Sequence, residues 1–420
     1  MSVLRNQLDW LLQVIFTTLR LYTRNGLANH AAATAFYFLL SATPLLLLLS
    51  YATQWLANLA ETSVPATILL AALYEHYHLD TLAEMGFIPR RAMLGAGGIG
   101  LVTLLLFSRK LVYAIEKAFA VIFPEDEKRR FVVSWTLPLV IIPIAFVLVG
   151  VAVVLRGALG YLVAIELLGP ARALLLNALN LLVVLGTVWT LVLIAYWRLP
   201  LTHPRFRQAA ALALLATLSL YLLFVFFDRF FQIDQYRSVY GALGGVVLVL
   251  IAAYFAFLAF YLWAQCLYAL SKVDVAALEK LFLSTSGEGV SRLEGYVFGR
   301  ADRLLVKYGQ RYAAGETIIR EGDSSQTAYF LYSGRVGLFK QSNGVQVRLG
   351  ELGEGDLFGE MAYLLGERRT ATVVAQTDVV VLALPPETLE ELMRYSAPLS
   401  RRIITALSQR LMRMNQAAGG

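Results

Sequence analysis

The feature that most limits how this chain can fold is a set of long runs with almost no charged side chains. Of the 420 residues, 58% are hydrophobic and 15% are charged, and the apolar residues are concentrated in the first 270. A spanning helix needs roughly 20 apolar residues to cross a hydrocarbon core of about 30 Å. The runs are Ala31–Ala57, Ala92–Phe107, Phe131–Leu155, Ala173–Trp197, Gln208–Phe227 and Tyr240–Leu270. The sequence therefore predicts an α-helical polytopic membrane domain with about six transmembrane helices.

The placement of Lys and Arg predicts the orientation of these helices, because cytoplasmic loops carry an excess of both residues. Basic residues are frequent before the first run, after the second and after the fourth. They are Arg5, Arg20, Arg24, Arg109, Lys110, Lys117, Lys128, Arg129, Arg130, Arg198, Arg205 and Arg207. The alternate loops carry fewer. We therefore expect both termini in the cytoplasm, on the same side of the lipid bilayer.

The segment before the first run, Met1–Arg24, has an amphipathic pattern. Its apolar residues recur at helical spacing: Leu4, Leu8, Leu11, Leu12, Ile15 and Leu19. A helix with such a stripe and basic residues beside it is typical of a membrane surface. We therefore predict a helix that lies on the cytoplasmic face of the membrane.

Charge, histidine and cysteine usage argue against several functions. The net charge is +7, but most of the basic excess flanks the apolar runs, which predicts no nucleic-acid partner. The four histidines are dispersed, and only His76 and His78 lie close together in sequence; an outer-face helix accounts for that pair better than a metal site. Cys266 is the only cysteine, so no disulfide forms within the chain. We expect no catalytic residues, no metal and no enzymatic activity.

Residues 271–420 have the composition of a soluble domain. A linker at 271–291 contains a short amphipathic helix, Val275–Leu283, and then the flexible stretch Ser284–Gly289. After a helical stretch at Arg292–Tyr308, glycines punctuate short segments of alternating polarity, which is typical of an antiparallel β-roll or jelly roll. A helical tail follows at Glu387–Asn415. The predicted domains are thus 1–270 in the membrane, the 271–291 linker, and 292–420.

The stretch Phe358–Val373 carries a pattern suited to a cyclic phosphate. A glycine turn is followed by a carboxylate, a short apolar segment and an arginine between small residues. Backbone N–H groups and an arginine fork can hold an anion, while a carboxylate accepts a hydrogen bond from a sugar hydroxyl.

With Ile319–Asp323, Tyr329–Val336 and Leu352–Glu360, this stretch makes a region of about residues 295–415 resemble the cyclic-nucleotide-binding domains of kinase regulatory subunits, catabolite-activator-type regulators and gated channels. The resemblance implies a regulatory ligand, cAMP or cGMP, and no cofactor. It implies that Glu360 binds the ribose 2′-hydroxyl and Arg369 the phosphate. The implied site residues are Phe358, Gly359, Glu360, Met361, Ala362, Arg369, Thr370 and Ala371.

The tail carries an apolar stripe at Ile403, Leu407, Leu411 and Met414. In the resembled family the equivalent helix closes over the purine or pairs with a second subunit, which implies a homo-oligomer. Met414 and Asn415 fall where base contacts are expected. Ordinary packing of the stripe is the alternative.

The membrane part resembles the YihY/BrkB family of bacterial inner-membrane proteins, on Ala31–Leu46 and Tyr240–Val246. Members were formerly labelled ribonuclease BN, but the dispersed histidines here do not provide a nuclease metal site. The resemblance implies six helices, an inner-membrane location and a role in transport or export. Asn177 and Asn180 share one face of the fourth run. Such polar side chains either form hydrogen bonds between helices or line a permeation pathway.

Two functions follow. In the first, the chain is a channel or transporter regulated by a cyclic nucleotide that binds its cytoplasmic domain. In the alternative, it is a membrane-anchored sensor or scaffold that recruits partners without moving a solute.

Overall fold

The computed structural model describes residues 2–41, 96–124, 155, 172–200, 204–231, 242–285, 292–298, 302–342, 345–401, 403–405 and 408. The chain forms two compact units, one of residues 18–268 and one of residues 1–17 together with 269–420. Most of the predicted first run, all of the third run except Leu155, the pair His76 and His78, and the tail positions Leu407, Leu411, Met414 and Asn415 lie outside the described residues.

The unit of residues 18–268 is helical in nearly all of its described parts. Residues 27–41 are helical. The other helices are α1 (Ser2–Arg24), α2 (Ala96–Ile122), α3 (Arg172–Arg198), α4 (Phe206–Phe230) and α5 (Ala242–Thr285). Helices α1 and α5 each contribute residues to both units.

Three helices within the described ranges are long and apolar enough to cross a membrane. They are Asn177–Arg198, Phe206–Phe230 and Gly244–Ser284. They coincide with the last three runs predicted from the sequence, and the total of six spans stays a prediction. This result places an α-helical region with three candidate spans before a separate β-domain.

The membrane helices pack through small residues and through hydrogen bonds to backbone carbonyls. Helix α4 buries Ala209, Leu212, Ala213, Ala216 and Thr217. The Trp189 indole N–H of α3 donates to the Ala210 carbonyl of α4, at 3.1 Å. Small side chains let helices approach closely in lipid, where packing, rather than the exclusion of water, drives association.

The second unit holds two four-stranded antiparallel sheets. Its strands are β1 (Gly309–Tyr312), β2 (Thr317–Ile319), β3 (Ala328–Ser333), β4 (Val336–Ser342), β5 (Val345–Leu352), β6 (Leu357–Phe358), β7 (Thr372–Ala375) and β8 (Val379–Leu384). The order is β1-β8-β3-β6 in one sheet and β2-β7-β4-β5 in the other. The predicted antiparallel roll is confirmed.

Four short helices flank the sheets: α6 (Arg292–Phe298), α7 (Asp302–Tyr308), α8 (Glu360–Leu365) and α9 (Pro386–Tyr395). Residues 397–401 and 403–405 are also helical. One hydrophobic core joins the inner faces of the strands, including Leu331, Phe358 and Val381, all 1% exposed or less. This core supports the turn that carries the candidate site.

A second core includes the last three turns of α5. Val275, Leu278 and Phe282 are at most 3% exposed and pack with Phe330 of β3. The rings of Phe282 and Phe330 lie 4.1 Å apart. The structure thus differs from the predicted linker, because residues 271–285 continue α5 and are part of the domain they were expected to connect. The physical reason is that the predicted amphipathic helix has an apolar side, and the roll buries that side in its own core.

Residues 1–17 are the other contribution from a distant part of the sequence. The Gln13 side-chain amide donates to the Val297 carbonyl of α6 at 3.1 Å, and Arg303 of α7 donates to its oxygen at 3.1 Å. The Phe16 ring meets Phe298 edge-on, at 5.8 Å. The first half of α1 is therefore packed on the helices that precede the roll.

Candidate functional site

The turn at Gly359 connects the roll to the short helix α8. Phe358 pairs with Tyr329 across β6 and β3, and the two rings stack 5.4 Å apart. Gly359 then adopts φ 77° and ψ −1°, a left-handed conformation, and α8 begins at Glu360. Only glycine takes up this conformation without steric cost. Gly366, also left-handed, ends the helix.

The space around Gly359 also leaves no room for a side chain. A Cβ atom at this position would lie 2.7 Å from Nη1 of Arg369 and 2.9 Å from Cδ1 of Ile319. The absence of a side chain therefore lets the guanidinium of Arg369 approach the turn. The N–H groups in the first turn of α8, at Glu360 to Ala362, have no acceptor within the helix, as at every helix start.

Arg369 is buried, with 4% of its surface exposed. Its Nη1 donates to the Gly359 carbonyl at 2.6 Å. Its Nη2 donates to the Thr327 carbonyl at 2.6 Å and to the Ser325 hydroxyl at 3.1 Å. Its backbone is also fixed, since its N–H donates to the Asp323 carbonyl at 2.9 Å.

Among the described residues, the charge of this arginine lacks a direct counterion. The three groups that accept hydrogen bonds from its guanidinium are two carbonyls and a hydroxyl, all of them neutral. Its Nε is buried without a hydrogen bond. Within the described ranges, Arg369 forms no ion pair. Burial lowers the pKa of Arg369, an effect that Tyr329, Asp323 and Glu360 oppose electrostatically. A guanidinium stays charged even so, and a buried charge is costly unless it is paired. The arrangement is therefore suited to an anionic ligand.

Glu360 begins α8 directly after Gly359 and is 2% exposed. Its carboxylate contributes to the field at Arg369, while the turn at Gly359 sets the direction in which α8 carries it. An anionic group at Arg369 and a hydroxyl at Glu360 are what a ribose cyclic phosphate would present.

The other predicted site residues occupy different surroundings. Phe358 is 1% exposed and belongs to the core of the roll, and Ala362 is 3% exposed. Met361 and Ala371 are half-buried, while Thr370 is exposed. The structure brings Gly359 and Arg369 into direct contact, and the roles of all eight residues in ligand binding stay predictions.

Sequence reasoning missed Ser325 and Thr327, which hold the Arg369 guanidinium. They precede it by 44 and 42 residues, so no local pattern links them to it. The small polar residues that follow Gly322 could have indicated a loop, because the segment contains too few apolar side chains to form a core strand. Among the described residues, no group of three or more His, Cys, Asp or Glu side chains could hold a metal ion.

Comparison with known proteins agrees with this geometry. A family model described as cyclic nucleotide-binding domain matches residues 309–396, and one described as Virulence factor BrkB matches residues 18–281. The chain is 39% identical over 111 residues to the cyclic AMP receptor protein of Thermus thermophilus, covering 26% of this chain and 51% of that protein. It is 40% identical over 92 residues to the cAMP-dependent protein kinase regulatory subunit of Aspergillus niger, covering 22% of each.

These relatives match only the nucleotide-binding part. The chain spans about half of the first relative and about a fifth of the second. The crystal structure of Thermus thermophilus catabolite activator protein is 30% identical, with 32% of this chain and 60% of that chain covered; its TM-score of 0.27 is too low for a structural argument. A cyclic-nucleotide-binding domain implies a regulatory nucleotide ligand rather than a resident cofactor. The chain therefore belongs to the BrkB family and carries, after its membrane region, a cyclic nucleotide-binding domain.

Proposed function

We propose that this protein is a cyclic-nucleotide-regulated channel or transporter of the bacterial inner membrane, and not an enzyme. Its cytoplasmic domain binds cAMP or cGMP, and binding biases the conformation of the membrane helices. The observation that carries the proposal is the continuity of α5, which is both a candidate membrane span and part of the hydrophobic core of the nucleotide-binding domain.

The length of α5 supports this arrangement. The apolar segment Gly244–Ser284 has 41 residues, which at a rise of 1.5 Å per residue is about 60 Å, or twice the thickness of a hydrocarbon core. Charged residues begin only at Lys272. We therefore expect the second half of the helix to lie outside the bilayer, and the unbroken helix supports a proposal in which nucleotide binding affects the span.

A contiguous set of contacts connects the candidate site with this helix. Tyr363 of α8 donates to the Glu390 carboxylate of α9 at 3.1 Å. The next residue, Glu391, forms an ion pair with Lys272 of α5. A shift of α8 around bound nucleotide would therefore displace α9, and through the ion pair it would also displace α5 at Lys272.

Magnitudes indicate which contact dominates. Partly exposed ion pairs such as Lys272–Glu391 contribute about 0.2–1 kcal/mol, whereas full burial of one large apolar side chain contributes about 1.5–3 kcal/mol. Packing of Leu278 and Phe282 in the core would therefore carry most of the coupling, and the ion pair would orient the helices.

Topology supports the orientation predicted from charge. Residues 1–17 fold into the same unit as residues 269–420, which supports the proposal that both parts lie on one side of the membrane. An even number of spans between them satisfies this condition, as six would. We propose that this side is the cytoplasmic one, as the placement of Lys and Arg predicts.

Thermodynamics sets the condition for regulation. The nucleotide changes a conformational equilibrium only if its affinities for the two states differ. A coupling free energy of about 1–3 kcal/mol is typical between linked sites and would change the open fraction roughly 5- to 150-fold at most.

The first test measures binding by calorimetry on the full chain in nanodiscs, since a fragment from Arg292 would lack Leu278 and Phe282. Arg369→Ala should weaken cAMP or cGMP binding by about 100-fold, because hydrogen bonds to a charged group contribute about 1.5–3 kcal/mol each. Arg368→Ala is the matched control, because the Arg368 side chain is exposed and makes a long bond of 3.4 Å to the Gly322 carbonyl. Equal affinities for the two variants would contradict the site.

The second test measures bilayer conductance and liposome flux at saturating nucleotide, together with hydrogen exchange of α5. If transport is regulated, nucleotide should change both the flux and the hydrogen exchange of α5, and Arg369→Ala should abolish both changes. A change in exchange, with ligand-dependent capture of partners and no flux of any solute tried, would favour the scaffold function instead. Unchanged flux and exchange with nucleotide bound would refute regulation.

A further inference from the structure

Helix α1 exposes an apolar stripe and buries polar side chains on its other side, beside the apolar Val14 and Leu21. The exposed side chains are Leu8, Leu11, Leu12, Ile15 and Leu19, each 40% exposed or more. By contrast, Gln13 and Thr17 are 4% and 2% exposed. A helix on the surface of a water-soluble domain shows the opposite distribution.

Helical geometry places these two sets on opposite sides. Residues three and four apart share a face, so Leu8, Leu12, Ile15 and Leu19 form one continuous stripe, which we call the α1 stripe. Gln13 and Thr17 point away from its centre. Within residues 8–17 the protein has therefore covered Gln13 and Thr17 together with Val14, and has left the apolar stripe open.

The covered face belongs to the nucleotide-binding unit. Gln13 bridges α6 and α7 by a bond to the Val297 carbonyl and a bond from Arg303, each 3.1 Å long. Both ends of one amide are used, which fixes the rotation of α1 about its own axis. The α1 stripe is consequently held outward, away from α6 and α7.

Three observations identify lipid as the partner of this stripe. An apolar strip of three turns is larger than the scattered apolar residues normal for a surface exposed to water. Arg20 and Arg24 are exposed basic residues on the same helix, which has Asp9 as its one acidic residue, and this charge favours anionic headgroups. The chain also leaves α1 directly into the helical segment 27–41, where the first predicted span begins.

We propose that α1 lies in the membrane interface with its stripe in lipid, while its opposite face holds the nucleotide-binding domain through Gln13 and Phe16. The helix thus attaches the sensor to the bilayer surface independently of α5. This inference goes beyond the proposed function and does not depend on transport of a solute.

The test measures the depth of spin labels in the full chain, reconstituted in vesicles that contain anionic lipid. Single cysteines replace Leu12 and Ile15 in a Cys266→Ala background. The matched control is Val306→Cys, an apolar residue of α7 that is 85% exposed. Collisions with oxygen should exceed those with a water-soluble nickel chelate at both stripe positions, and the order should reverse at Val306.

Two results would overturn the proposal. If Leu12 and Ile15 gave the same collision ratio as Val306, the stripe would face water. If both reagents were excluded and the labels broadened each other's spectra, a second copy of the chain would cover the stripe. An unchanged melting temperature of each labelled protein verifies that it has folded. Because cyclic nucleotide is absent throughout, failure here leaves the binding site untouched.

Discussion

Helices α4 and α9 use side chains in opposite ways. Helix α4 buries small or polar residues such as Ala213 and Thr217, while Leu222, Phe224 and Phe230 are 67–69% exposed. Helix α9 buries Leu389 and Leu392 and exposes Glu390 and Arg394. The contrast shows that the two regions are adapted to different solvents within one chain.

The physical reason lies in what drives packing. In water, burial of apolar area stabilises a fold by roughly 25 cal/mol per Å², so leucines are buried in α9. In hydrocarbon this driving force is absent, and close contact through alanine and threonine takes its place. Helix α1 combines both patterns, because the face with Gln13 and Phe16 packs on protein while the apolar stripe is exposed.

The largest expected effect compares two phenylalanines. Phe282→Ala should lower the free energy of opening of the nucleotide-binding unit by about 3–5 kcal/mol, since it leaves a cavity against Phe330. Phe224→Ala on α4 should change it by less than about 0.5 kcal/mol. Hydrogen exchange of β3 and β8 in the full chain measures both. Similar effects from the two variants would break the comparison.

A lysine on each surface tests which solvent it meets. Leu222→Lys should destabilise the membrane unit by about 2.5–3.5 kcal/mol, the cost of a charge near the centre of a membrane helix. Val306→Lys on α7 should leave stability unchanged, because that side chain faces water. Melting temperatures of the full chain in nanodiscs give the answer. If Leu222→Lys were as well tolerated as Val306→Lys, α4 would not face lipid.

Two left-handed glycines of α8 separate backbone strain from crowding. Gly366→Ala should cost about 1–2 kcal/mol, because φ is 68° but nothing lies within 4 Å of a new Cβ. Gly359→Ala adds contacts of 2.7 and 2.9 Å, so it should cost at least about 1 kcal/mol more and also weaken nucleotide binding. Exchange protection and calorimetry measure the two consequences. Equal behaviour would mean that Arg369 moves away without penalty.

The smallest effect concerns the ion pair between α5 and α9. A double-mutant cycle of Lys272→Ala and Glu391→Ala should give a coupling energy of about 0.5 kcal/mol, because the two side chains are 22% and 36% exposed. The cycle is read from exchange protection of α9 with and without nucleotide. A coupling energy that increases on binding would indicate that this pair takes part in transmission.

Sequence reasoning predicted the parts that depend on local patterns. The apolar runs predicted the last three candidate spans, and alternating segments between glycines predicted the antiparallel roll. The resemblance of Phe358–Val373 to a phosphate-binding cassette predicted a site that contains both Gly359 and Arg369, and the two residues are in contact. It did not reveal Ser325 and Thr327, because a hydroxyl and a carbonyl in a loop carry no periodic signal.

Which segments prefer lipid and which prefer water follows from the amino-acid sequence alone, since that preference is a property of each segment's own side chains. What covers each face is a matter of tertiary structure. Gln13 meets Val297 and Arg303 at separations of 284 and 290 residues, and Phe282 packs against Phe330 inside the roll. Helical periodicity shows that a face needs a partner, but the identity of that partner depends on long-range packing that no local pattern encodes.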